Sequence, residues 1–97
     1  MYARTKVDKF GRLFIPKEIS YRMGLRNGFK LAMTMENHSI RLKPVKIIGQ
    51  SMYVKAVDQL DRVILPASFI YKLNLFATEL CLKIADDYSY IVISKEN

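Results

Sequence analysis

The residues best placed to do chemistry are cationic. Arg4, Lys6, Lys9 and Arg12 fall close together near the start of the chain, and Arg22, Lys55, Arg62 and Lys72 extend the set. Phosphate is the natural counter-charge for such a cluster. Neutralising phosphates releases condensed counterions and gives an affinity that falls with salt. An arginine can also read guanine through two parallel hydrogen bonds. An ordinary solvated basic face has the same composition, so the cluster needs structural context. Arg12 and Arg62 each follow an aspartate by four residues, Asp8 and Asp58, across a polar turn. An internal ion pair that fixes the turn is the competing use of these guanidinium groups, and one arginine can serve both ends. The two aspartates read as turn-formers that accept backbone N–H groups rather than as catalytic acids.

Other chemistries find no support. His38, the single histidine, lies in a turn beside Asn37 with no cysteine or histidine at metal-ligand spacing, so no metal or other cofactor is expected. No glycine-rich phosphate loop, nucleophile elbow or paired-carboxylate pattern is present, and no small-molecule substrate is evident, so an enzyme is not expected. Cys81 lies in a strand-like run, where a buried thiol is expected. Tyr21, Tyr71, Tyr88 and Tyr90 offer rings for stacking on bases, but their helix and strand spacing predicts partial burial in the core.

At 97 residues, 51% of them hydrophobic, the chain is long enough for a compact domain with its own core, predicted over 1–97. No run of about 18 apolar residues suggests a membrane span. Met1–Lys6 has no apolar stretch after its charges and does not read as a secretory signal. With one cysteine and so no internal disulfide, a cytoplasmic location is expected. The formal net charge is +7, unevenly spread. Residues 1–48 carry eleven basic side chains against three acidic, a net +8. Residues 49–97 carry five against six, a net −1. A basic surface attracts polyanions, nucleic acid foremost.

The elements that hold these residues come in two copies. A shift of 50 positions lays Val7–Pro16 on Val57–Pro66, and six positions are identical over residues 7–25: Val7/Val57, Asp8/Asp58, Arg12/Arg62, Pro16/Pro66, Tyr21/Tyr71 and Leu25/Leu75. Chance would give about one, so the repeat is real. Each copy reads as strand, polar turn, strand, short helix and hairpin. Pro16 and Pro66 suit a helix start, where the missing N–H is not needed. Gly24 and Asn74 suit a helix stop. In the first hairpin Phe29, Leu31, Met33 and Met35 alternate with polar or small residues, Glu36–Ser39 turn, and Ile40 and Leu42 return. Repeat one covers about 1–46 and repeat two about 51–97, joined by a connector at 44–51 in which Ile47 and Ile48 are available for packing. Gly11 allows a positive φ in its turn; Asp61 stands at the matching position, where that conformation is less favourable, so a different second loop is expected. A unit of about 45 residues cannot bury its own apolar faces. The copies must share a core, which argues for interleaved strands in one pseudo-symmetric barrel rather than two beads.

Val7-Asp8-x-x-Gly11-Arg12-x-x-Ile15-Pro16-x-Glu18-Ile19, followed by Gly24-Leu25 and an alternating hairpin, resembles the AbrB/MazE/SpoVT family of swapped-hairpin DNA-binding domains. The tandem Asp8/Arg12 and Asp58/Arg62 pairs are also similar to those of MraZ-like relatives. The resemblance implies a mainly β fold with short helices: a pseudo-two-fold swapped-hairpin, or double-split, β-barrel built from two β-β-α-β-β repeats of one chain. It implies a sequence-specific or semi-specific double-stranded DNA-binding transcriptional regulator, with a homodimer as an open possibility. Carried over position by position, the family's first-strand basic site falls on Thr5 and Lys55, and its second-strand arginine on Arg12 and Arg62. The helix arginine pair falls on Ser20-Tyr21 and Ile70-Tyr71 and is absent; Arg22 and Lys72 follow one residue later. The expected DNA contacts are therefore Arg4, Lys6, Lys9, Arg12, Arg22, Lys55, Arg62 and Lys72. The alternative is an antitoxin-like or other protein-interaction module, although the toxin-wrapping tail of such relatives is not expected beyond Lys95. The charge imbalance predicts that the first copy grips DNA and the second mainly completes the barrel.

Overall fold

The computed structural model describes residues 2–46 and 53–95. Ten elements follow the predicted order: β1 (Tyr2–Thr5), β2 (Arg12–Phe14), α1 (Lys17–Met23), β3 (Lys30–Glu36), β4 (Ser39–Val45), β5 (Tyr53–Ala56), β6 (Arg62–Ile64), α2 (Ala67–Leu73), β7 (Leu80–Ile84) and β8 (Ile91–Lys95). The fold is mainly β with two short helices. Most of the 44–51 connector, including Ile47 and Ile48, lies outside the described residues.

The repeats exchange strands. β1 of the first repeat pairs with β7 of the second, and β5 of the second pairs with β3 of the first. The two hairpins, β3–β4 and β7–β8, join through β4 and β8, so one antiparallel sheet runs β1-β7-β8-β4-β3-β5. The repeats also pair in the antiparallel ribbon β2–β6. Its register centres on the Leu13–Val63 pair and that of β4–β8 on Arg41–Val92, which are equivalent positions in the two copies. A pseudo-two-fold relation follows from these registers.

The sheet is not closed into a barrel, contrary to expectation. It ends at β1 and β5, and these two strands do not pair. The physical reason is the chain path: after β1 a bridge from Val7 to Leu13 hands the backbone to the ribbon rather than to the opposite edge. The ribbon still completes the core. Leu13 and Val63 are buried in the same apolar cluster as Leu31, Ile40, Leu42, Leu80, Leu82, Ile91 and Ile93. Strand alternation explains the pattern, since successive side chains point to opposite faces.

Both helices obey one local logic. Pro16 and Pro66 precede them, and Gly24 and Asn74 end them in the left-handed conformation. Leu25 N–H donates to Ser20 O and Gly24 N–H to Tyr21 O, a Schellman closure repeated at Leu75 and Asn74. Ile19 and Ser20 of α1, and Phe69 and Ile70 of α2, are buried. The first hairpin turns at Asn37 and His38, both with positive φ, as a two-residue type I′ connection requires.

Candidate nucleic-acid interface

The two Asp-x-x-x-Arg segments fold into matching loops. Asp8 Oδ1 accepts the N–H groups of Phe10 and Arg12 at 2.9 Å each, and Asp8 Oδ2 accepts Arg12 Nε–H at 2.7 Å. Asp58 holds Leu60, Arg62 and the Arg62 side chain in the same way at 2.8–2.9 Å. The ion pairs left open by the sequence are present in both copies. The Arg12 N–H holds the Asp8 carboxyl below the ordinary aspartate range, against an opposing desolvation effect and with help from the guanidinium and the Phe10 N–H. At Asp58 desolvation pushes upward, yet the N–H groups of Arg62 and Leu60 and the Arg62 side chain outweigh it.

The expected difference in loop shape is not found. Asp61 adopts φ +59 where Gly11 has +80, and both N–H groups donate to the aspartate that opens the loop. Aspartate is among the few non-glycine residues that visit this region readily. Each loop is also tied to the opposite repeat: Leu65 N–H donates to Gly11 O and Ile15 N–H to Asp61 O. A Cβ on Gly11 would approach Ile70 Cδ1 of α2 to 3.1 Å, so the first loop is seated directly on the second repeat's helix.

These ties set the outer face of the ribbon. With Leu13 and Val63 turned inward, Arg12, Phe14, Arg62 and Ile64 face outward. In register, Arg12 lies opposite Ile64 and Phe14 opposite Arg62. The two arginines are diagonal neighbours, about 7–8 Å apart by ordinary antiparallel geometry. Nε binding to aspartate orients each guanidinium and uses one of its five donors. Phe10 extends the face from the first loop, 65% exposed, with Lys9 Nζ 5.2 Å and Arg12 Cζ 4.9 Å from its ring centre. Its counterpart is the exposed Leu60.

The structure gathers only part of the expected contact set here. Arg12, Arg62 and Lys9 belong to the ribbon and its loops. Lys55 lies with Lys9 and Phe10 along a groove beside Ile64 and α2. Arg4 stands elsewhere, on the outer face of β1 in register with the half-buried Cys81. Lys6 is exposed just past β1. Lys72 lines a separate polar groove with His38 and Lys95, at the tip of the first hairpin. Arg22 is exposed in the last turn of α1. Thr5, at the family's first-strand position, is buried and donates to Phe14 O at 2.7 Å. It acts as a strut beneath the ribbon.

The expected partial burial of the tyrosines holds for Tyr90, which is half-buried with the Arg41 guanidinium over its ring, and fails for the other three. Tyr21 is 88% and Tyr71 75% exposed, and Tyr88 is exposed as well. Ile19, Ser20, Phe69 and Ile70 already fill the inner helix faces, and residues two positions from Ile19 and Phe69 point away from the core. The apolar part of the face was not singled out in the sequence. Strand alternation was the available signal: Phe14 and Ile64 share a parity with Arg12 and Arg62, opposite to Leu13 and Val63.

Among the described residues, no helix is long and apolar enough to cross a membrane. No protein-family model and no curated protein matches the chain. Among solved structures, it is similar to the solution structure of PHS018 from Pyrococcus horikoshii, with a TM-score of 0.59 and 16% identity over 99% of this chain and 94% of that one. At that identity the likeness concerns the fold alone.

Proposed function

We propose that the chain is a double-stranded DNA-binding regulator of the swapped-hairpin AbrB type, acting in the cytoplasm, and that the β2–β6 ribbon is its DNA-facing surface. The observation that carries this reading is the placement of Arg12 and Arg62 as pseudo-symmetric, aspartate-oriented groups on one outward face. A two-stranded antiparallel ribbon fits a DNA major groove, and arginine is the side chain suited to guanine edges and to phosphate. The apolar neighbours Phe14 and Ile64 suit contact with a thymine methyl group. The strand exchange between repeats supports the swapped-hairpin description of the fold.

The face is lopsided in charge. Residues 8–12 carry Lys9 and Arg12 against Asp8, a net +1; residues 58–62 carry Arg62 against Asp58 and Asp61, a net −1. Arg12→Ala should therefore weaken duplex binding more than Arg62→Ala, by about 5- to 100-fold if the side chain reads a base. Anisotropy titrations of a labelled duplex with both variants test this. Binding unaffected by either substitution would remove the ribbon from the interface.

A second reading draws on a different observation. Phe10, Phe14, Leu60 and Ile64 are large apolar side chains, all exposed around this same face. Contiguous exposed apolar surface marks protein contact sites. An interaction module, or a homodimer through the ribbon, would use them. Sedimentation across a concentration series distinguishes the cases: mass that stays monomeric argues against the homodimer, and a dimer dissolved by Phe14→Glu argues for it.

A further inference from the structure

The pseudo-two-fold generates two equivalent grooves, each between one repeat's loop and the other repeat's helix. They have diverged. The groove at α1 is lined by Lys17, Glu18, Tyr21 and Asp61, with two carboxylates against one cation. The groove at α2 is lined by Lys9, Phe10, Lys55, Ile64, Tyr71 and Phe76, with two cations and no carboxylate among its lining residues. At the repeat offset of 50, Lys9, Phe10, Lys55, Tyr71 and Phe76 correspond in sequence to Gln59, Leu60, Thr5, Tyr21 and Arg26. The basic, aromatic groove is a joint product of both repeats.

Its rings are held open rather than folded away. Tyr71 stands edge-on to Phe76, with centroids 5.9 Å apart and planes at 74°. Phe76 is itself fixed by a backbone bridge to Val7 of the first repeat. Tyr71 therefore presents a ring to solvent on a rigid support, while Phe10 holds Lys9 and Arg12 at the groove's edge. Fixed aromatic faces beside lysines are what an unpaired nucleotide needs: a platform for the base and counter-charges for its phosphates. Bases inside a duplex show edges in the grooves but keep their faces stacked, so a ring face adds nothing there.

We infer that the α2 groove binds single-stranded nucleic acid, stacking an unpaired base on Tyr71 with its phosphates at Lys9 and Lys55. This rests on the nucleic-acid reading above and shares Lys9 and Lys55 with the duplex-binding surface, while Tyr71 and Phe76 belong to the groove alone. The α1 groove provides an internal control, because Tyr21 is equally solvent-facing yet sits beside Glu18 and Asp61.

The test is fluorescence anisotropy at about 50 mM salt with labelled (dT)12, the same backbone bearing abasic sites, and a 20-base-pair duplex. The intact chain is compared with Tyr71→Ala, Tyr71→Phe and Tyr21→Ala, with thermal melts to show that each variant is folded. The expected result is binding of (dT)12, lost at abasic sites. Tyr71→Ala should weaken it about tenfold or more, with Tyr71→Phe and Tyr21→Ala near the parent value. Duplex binding without (dT)12 binding overturns this inference and leaves the duplex proposal standing. Binding of (dT)12 alone supports the inference and overturns the duplex proposal. Equal losses in Tyr71→Ala and Tyr21→Ala, or none in Tyr71→Ala, overturn the stacking site. No binding of either oligonucleotide overturns both.

Discussion

At the residue scale, two aspartates position two arginines. Asp8 and Asp58 each accept three hydrogen bonds, and their carboxyls are held below the ordinary aspartate range. A carboxyl with a lowered folded-state pKa stabilises the fold above its unfolded value, about 3.9. That stabilisation disappears as the pH falls through the lower folded value. The chain should accordingly lose thermal stability as the pH falls below about 4. Asp8→Asn combined with Asp58→Asn should lower Tm by a few degrees at pH 7 and flatten the acid limb. Circular-dichroism melts across that range check both; an unchanged acid limb would mean that these carboxylates are not the groups responsible. The Asp-to-Arg spacing made the ion pairs readable in the sequence. The outward direction of Tyr21 and Tyr71 was not, because a seven-residue helix has too few apolar positions to fix its inner face unaided. Ser20 is buried there while Tyr21 is not.

At the element scale, the ribbon is both a lid on the core and the platform for the outward arginines. Leu13 is wholly buried at its centre, opposite Val63. Leu13→Ala removes three carbons from a packed interior and should cost about 2–5 kcal/mol. Because the ribbon belongs to neither repeat alone, the loss should appear as one cooperative transition at lower denaturant, followed by fluorescence and circular dichroism together. Two separate transitions would contradict the shared core. The order of elements, the helix stops at Gly24 and Asn74, and the hairpin at Asn37–His38 were all legible from periodicity and turn chemistry. The open sheet was not. Whether β1 and β5 pair with each other or give way to the ribbon depends on a chain path of a few residues at Val7, which no pattern of residue types records.

At the scale of the whole molecule, strand exchange turns an imbalance along the sequence into a different imbalance in space. The sequence suggests that the first half grips and the second half supports. The structure instead seats the basic loop of the first repeat on the helix of the second, and Lys55 of the second repeat joins Lys9 of the first in one groove. The sharing was foreseeable, since neither half can bury its own apolar surface. Which residues meet across it was not, because it depends on the register of β2 against β6. The most direct measurement of the central claim is the salt dependence of duplex binding. If Lys9, Arg12, Lys55 and Arg62 neutralise phosphates together, log K against log salt should fall with a slope of about −3 to −4, and Arg12→Ala should make it shallower by about one. A slope near zero, or no binding of any duplex at low salt, would contradict the account.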